Sequence, residues 1–445
     1  MIKNYFKIAW RNLKKNRLYA FVNIIGLTVG IVSCLLIGLY IKHELSYDRF
    51  NAYADKIVRV TMDYSLGDAP AKIAVTGTKI GPQFKRTFPV VEDFVRLDKL
   101  TNVVGYKNQL FEEKNFLYAD PSFFRIFSFK LLNGDAATVL NSPDKIVITK
   151  TTAEKYFDRE DPVGKILKVG DKSFIVSAVA ADCPSDSQLQ FDFVVPFNVL
   201  NAAKQPEQWW TANYITYLLL KNKEAIAPLA KQITSYMETV DKGELKMTAG
   251  QYLTFHLEPL TSVHLHSNLP DGFEPNGSIT YVYILVVVAL LILIIACVNY
   301  VNLSIAQSAG RSAEIGIRKV LGAAKQQLFK QFIGESVFVA AIAVVLALGL
   351  AIVLLPFFNQ LSGKQFQINA LFDPVILLCL LLLGLIIGFS AGAYPALLLS
   401  GMKLIKILKS GFSFTSGQGV RRYLIIFQFI ISIFLIITTV VILQQ

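Results

Sequence analysis

Five uninterrupted apolar runs divide the chain, at 19–41, 279–305, 332–355, 374–399 and 423–443. About 20 apolar residues in helical form span a bilayer's hydrocarbon layer. Lipid offers no partner to a free backbone group, so each run is expected to be a transmembrane helix. Between the first two runs, over 42–278, the pattern shortens and changes period. Stretches rich in Val, Ile, Phe and Tyr predict strands at 56–64, 145–149, 173–180, 191–196, 214–220 and 252–258. Helical spacing predicts helices at 78–88, 152–157 and 226–239, with turns at Asp161-Pro162 and Val169-Gly170-Asp171-Lys172. The expected fold class is a multi-pass α-helical membrane protein with a large mixed α/β domain inserted between its first and second spans.

Two short segments carry a different pattern. Residues 1–18 place Ile2, Phe6, Ala9, Trp10 and Leu13 on one helical face and Lys3, Lys7, Arg11, Lys14 and Lys15 on the other, as an interfacial helix does. Residues 306–330 sit between the second and third runs. Here Ile317, Val320, Leu321, Ala324 and Leu328 share one helical face, beside Arg311, Glu314, Arg318 and Lys325. Glu314 and Arg318 stand in the favourable i,i+4 order. The plain reading is a set of anchoring charges; the alternative is a surface gripped by a cytoplasmic partner.

Charge supplies the orientation. The chain is 53% apolar with a net charge of +12, which by itself could suggest nucleic acid. The positive excess, however, lies in 1–18, 306–330 and 400–422, the last holding Lys403, Lys406, Lys409, Arg421 and Arg422, while acidic residues slightly outnumber basic ones over 42–278. That distribution excludes a nucleic-acid footprint. By the positive-inside rule, it places the N-terminus and the loops 306–330 and 400–422 in the cytoplasm, with 42–278 and the short loop 356–373 outside. No small-x-small cleavage site precedes Lys42, so the first run is read as a retained anchor.

Candidate chemistry is sparse. Cys34, Cys297 and Cys379 fall within apolar runs, and Cys183 is alone in 42–278, so no disulfide forms within that domain. His264 and His266 could share a strand face as metal ligands, but no third ligand pattern stands near them. Glu112, Glu113 and Asp120 read as a charged loop. No P-loop and no nucleophile elbow occur, so the chain is not expected to be an enzyme. Glu335 lies about one turn inside the third run, open to either a docking role or interfacial anchoring. Small residues around Gly392 favour close helix packing, and Pro395 is expected to kink the fourth run. The fifth run, entered through Arg421-Arg422-Tyr423, repeats the Arg17-Leu18-Tyr19 entry to the first and is read as the start of a second such unit, with 445 a fragment boundary.

These landmarks together carry a resemblance. Glu314-Ile315-Gly316-Ile317-Arg318-Lys319-Val320-Leu321-Gly322-Ala323, Gln331-Phe332-Ile333-Gly334-Glu335-Ser336, Ala391-Gly392-Ala393-Tyr394-Pro395-Ala396 and the Asp120–Phe129 stretch resemble FtsX-like permeases of ABC systems with a MacB-type periplasmic core domain. The resemblance covers residues 1 to about 410. There are two departures. Ser400-Gly401-Met402-Lys403 replaces the proline that often follows the Tyr-Pro-Ala motif, and the ATPase domain fused in MacB does not precede the first span.

What the resemblance implies is a permease subunit in a bacterial inner membrane, surrounded by lipid. It would be coupled through Arg311, Glu314, Ile315, Gly316, Arg318, Lys319, Leu321 and Gly322 to a separate ABC ATP-binding subunit. ATP and Mg would belong to that subunit, with no cofactor on this chain. A permease dimer or a second FtsX-like unit in the same chain, and a periplasmic adaptor, are further implied partners. The implied function is export of antimicrobial peptides, toxic compounds or lipoproteins, or, alternatively, activation of a periplasmic cell-wall hydrolase without transport. A membrane receptor, which needs fewer spans and a cytoplasmic output domain, fits less well.

Overall fold

The structure, a computed structural model, describes residues 10–11, 14–15, 17–67, 69–273, 276–310, 317, 320, 324–401 and 415–443. Two compact units emerge, one of residues His43–Ile279 and one of Met1–Lys42 with Thr280–Gln445. The interfacial helix expected at 1–18 lies mostly outside the described residues; Trp10, Arg11, Lys14 and Lys15 are helical and exposed. The first long helix, α1, spans Arg17–Ser46.

The unit His43–Ile279 is built on one ten-stranded mixed sheet. Its strands are β1 (Ile57–Leu66), β2 (Ala71–Ile73), β3 (Val91–Tyr106), β4 (Gln109–Ala119), β5 (Lys145–Thr149), β6 (Ile166–Val169), β7 (Lys172–Ala180), β8 (Phe193–Pro196), β9 (Ile215–Leu220) and β10 (Gln251–Pro259). The order is β10-β1-β9-β3-β4-β8-β5-β7-β6, with β2 on β1. β6 also pairs back onto β3 at Val104–Val169, which closes six strands into a ring. Among the described residues, β4–β8 and β5–β7 are the pairs that run parallel.

Side chains alternate across a strand, so a sheet covered on both faces needs consecutive apolar residues. β8 and β9 show this. Phe193 and Val195 enter one core and Val194 another; Leu218 and Leu220 pack with α2 (Ile80–Thr87) and its neighbours, while Tyr217 and Leu219 join the opposite face. That opposite face is rich in aromatics. Phe123, Phe127, Phe129 and Phe191 surround α3 (Phe123–Ile126), with ring centroids 4.9–6.2 Å apart. Helices α4 (Lys150–Phe157), α5 (Ile226–Val240) and α6 (Leu260–His266) complete the unit. Thr149 caps α4, its hydroxyl accepting the amide of Thr152.

Two expectations are corrected here. Glu112 and Glu113 belong to strand β4, not to a loop, and Asp120 follows it as a buried residue. Their charges are held by partners remote in sequence. Glu113 accepts from Tyr156 and Lys155 at 2.6 and 2.7 Å, and Asp120 takes both sides of the Arg96 guanidinium at 2.8 and 2.9 Å. His264 and His266 lie on helix α6, not on a strand face, and only His264 is buried.

The helical unit contains α1 up to Lys42, α7 (Ile279–Gly310), α8 (Lys325–Ser362), α9 (Pro374–Gly401) and α10 (Thr415–Leu443). Among the described residues, α1, α7, α8 and α9 contain stretches long and apolar enough to cross a membrane; the apolar part of α10, Arg422–Phe434, is shorter. α8 runs through Pro356 for nearly two turns beyond 355, and ends at Gly363 in a left-handed conformation. Fully buried Ala340, Ala343, Ala347 and Ala351 line one face of α8. Gly384, Gly388 and Gly392, one turn apart on α9, meet α8 at Val344, Val337 and Ser336. Without a hydrophobic force between helices in lipid, such small residues secure contact by letting backbones approach.

Candidate functional site

The sequence-predicted coupling residues Arg311, Glu314, Ile315, Gly316, Arg318, Lys319, Leu321 and Gly322 lie outside the described residues. Within that segment Ile317 and Val320 are helical and exposed. α7 runs up to Gly310, and α8 begins after Ala324, whose amide donates to Oε1 of Gln327 at 3.3 Å.

Directly above these flanks α7, α8 and α9 meet at Ser336. The hydroxyl of Tyr300 on α7 donates to Oγ of Ser336 on α8 at 2.9 Å, and both side chains are buried. On its other side Ser336 lies against Gly392 of α9, where an added β-carbon would stand 2.7 Å from Oγ. Glu335 is half-buried, and its Oε1 accepts from Nε2 of Gln331 one turn earlier, at 2.9 Å. Leu328 and Phe332 pack with Ala396 below. Pro395 falls within α9, which continues past it to Gly401.

Gly392 therefore belongs to a three-helix junction, and Glu335 lies beside it in sequence, bonded within α8 to Gln331. Tyr300 and Ser336, which sequence reading did not single out, complete it. A tyrosine and a serine inside apolar runs were the available signal, since a buried hydroxyl in hydrocarbon must find a partner. The junction joins three helices, two of which flank 311–323. Removing only the hydroxyl, as Tyr300→Phe, is expected to cost the helical unit about 0.6–1 kcal/mol. Thermal unfolding in detergent of Tyr300→Phe, Ser336→Ala and the double variant tests this, since the double variant should lose no more than either single one.

Burial pushes the Cys183 thiol up to about 12, so it stays protonated and unreactive. His264 bonds the Glu44 carboxylate at 2.8 Å and stacks on Tyr47 at 3.4 Å. Among the described residues no three His, Cys, Asp or Glu side chains are grouped to hold a metal ion.

Two protein families match this chain: the MacB-like periplasmic core domain over residues 20–236 and the FtsX-like permease C-terminal region over 286–404. Similar proteins include an ABC transporter permease of Methanocaldococcus jannaschii, 24% identical and covering 91% of this chain and 96% of that protein. Another is the macrolide export ATP-binding/permease protein MacB 2 of Aeromonas hydrophila, 22% identical over 86% of this chain. The chain spans 57% of the length of that MacB relative. The solved periplasmic region of MacB from Actinobacillus actinomycetemcomitans aligns with 47% of this chain and 90% of that one, at 15% identity and a TM-score of 0.34.

Proposed function

We propose, from the premise that this chain belongs with the MacB/FtsX-like permeases of the ABC transporter type, that it is the membrane subunit of an export system driven by a separate ATP-binding subunit. In this reading 311–323 is the docking segment for that subunit on the cytoplasmic side. The unit His43–Ile279 lies outside the membrane and does the work there. ATP and Mg belong to the partner, and closure of paired ATPase subunits would press on the docking segment. The spans would then move as rigid levers between two arrangements.

The observation that supports this reading is the Tyr300–Ser336–Gly392 junction. It joins three helices within a few turns of both ends of the docking segment, so a push on that segment has a packed path into α9. The names of the MacB relatives, which specify macrolide export, make large, partly apolar compounds the proposed cargo class.

Charge reversal in the docking segment tests the reading. Glu314→Lys and Arg318→Glu should each weaken copurification with the ATPase, by about tenfold or more for the loss of a close charge pair, and should lower the ATP hydrolysis stimulated by this chain. Binding and stimulation unchanged in both variants would overturn it.

A further inference from the structure

A buried polar knot in the α/β unit lies just beyond the end of α1. Asp48 is 2% exposed and takes a left-handed backbone conformation, with φ 58°. Its amide donates to the carbonyl of Asp186 at 2.8 Å. Its Oδ1 accepts the Ser187 hydroxyl and the Gln188 amide, each at 3.1 Å. The side-chain amide of Gln188 donates to Oδ1 of Asn276 at 2.7 Å, and that of Asn276 donates to the carbonyl of Ser267 at 2.7 Å. The stretches around 48 and 187 thus meet at one carboxyl group, and the stretch around 276 is tied to them through the Gln188 side chain.

Two acceptors in this knot are buried without a hydrogen-bond partner among the described residues, Oδ2 of Asp48 and Oε1 of Gln188. An ionised carboxylate with one oxygen facing no donor is costly in a dry site, whereas a protonated one relieves the charge and adds a donor. We propose that Asp48 is a proton-operated latch, which holds the segment after α1 to the 184–190 loop when protonated and loosens it when ionised. As a sensor of the outer compartment, the latch rests on the extracytoplasmic placement proposed above.

The electrostatics agree with the geometry. Burial, assisted by the negative charge of Asp186 and opposed by the bonds from Gln188 and Ser187, raises the Asp48 carboxyl to about 6. The other groups nearby are His43 and Glu44 on its own segment, His264 of α6 bonded to Glu44, and Tyr217 of β9 in the field of the Arg59–Glu258 pair. A folded value raised above the ordinary one of about 4 means that the stabilisation is complete below pH 4 and is lost as pH rises through about 6.

Hydrogen exchange of the full chain in lipid nanodiscs from pH 5 to 8, corrected for intrinsic rates, tests the latch. Protection over 43–51 and 184–190 should fall from pH 5 to just above 6 and then level off, by on the order of tenfold in this window, the other tenfold of a two-unit difference being lost between pH 4 and 5. Asp48→Asn should stay protected at pH 8 and lose the slope, while Glu44→Gln should keep it. Ser187→Ala removes a donor that favours the ionised form and should move the midpoint upward. A slope that survives in Asp48→Asn, or vanishes in Glu44→Gln, overturns the proposal. If Asp48→Asn fails to fold, a midpoint unmoved in Ser187→Ala does the same. The ATPase assay above is read at one pH with Asp48 intact, so either idea can fail without the other.

Discussion

Gly388→Val should separate α9 from α8 and destabilise the helical unit by about 3 kcal/mol or more. A β-carbon at position 388 would stand 2.6 Å from Cα of Val337 and 3.1 Å from its amide nitrogen. Those are backbone atoms of a long helix, which cannot swing aside as a side-chain tip can, so relief requires the whole interface to open. Gly392 and Gly388 share that interface, and its opening would take the Ser336 junction apart as well. The comparison is internal. Gly334 and Gly349 lie on α8 itself, and a β-carbon at either meets nothing within 4 Å among the described residues. Gly349→Ala should therefore be neutral or mildly stabilising, since alanine favours a helix over glycine by about 1 kcal/mol. Unfolding in mixed micelles measures both. Cysteine cross-linking between Val344 and Gly384 should also become inefficient in Gly388→Val and stay efficient in Gly349→Ala. Equal stability of the two variants would mean that the two backbones are not in contact at 388.

Asp120→Ala should give the largest single loss expected in the α/β unit, about 3–5 kcal/mol. The carboxylate accepts from Nε and from a terminal nitrogen of Arg96 and also from the Arg96 amide, with all three distances between 2.8 and 2.9 Å. The guanidinium is stacked 4.3 Å from the Phe197 ring and donates to the Thr78 carbonyl. Removing the carboxylate leaves a largely buried cation with no counter-charge. The double variant Arg96→Met/Asp120→Leu removes both charges and should lose clearly less than Asp120→Ala alone, because no unpaired ion remains. Urea unfolding followed through Trp209 and Trp210, both in this unit, reads the difference. A double variant as unstable as the sum of the two single variants would show no coupling between Arg96 and Asp120 and would overturn the stranded-charge account.

The same pair explains the largest gap between sequence and fold. β3 and β4 form a long hairpin, yet Glu92, Asp93, Asp98, Lys99, Glu112, Glu113 and Lys114 interrupt every apolar alternation along it. A charge paired across 24 residues, as in Arg96–Asp120, looks in a local window like a charge in water. Strands β5, β8 and β9 were legible because burial on both faces demands consecutive Val, Ile, Leu and Phe, and β10 because Leu253, Phe255 and Leu257 alternate along it. α6 failed for the opposite reason: the seven residues from Leu260 to His266 are too few to separate helical from strand periodicity.

By itself the sequence determined that the chain has long apolar helices and a mixed α/β region between the first two. Bilayer thickness and the need to satisfy every backbone group in lipid act on composition alone. It also determined the distribution of positive charge, from which sidedness is read. Tertiary structure alone decided which small residues became helix contacts. Gly388 and Gly349 are indistinguishable as letters within apolar runs, yet one lies against a backbone and the other meets open space. It also decided that Asp48, an ordinary acidic residue after a helix, became a buried carboxyl, because Ser187 and Gln188 arrive from some 140 positions away. Hydropathy is a property of each residue and its neighbours in sequence. Desolvation and close approach depend on which distant segments share a site, and only folding brings those segments together.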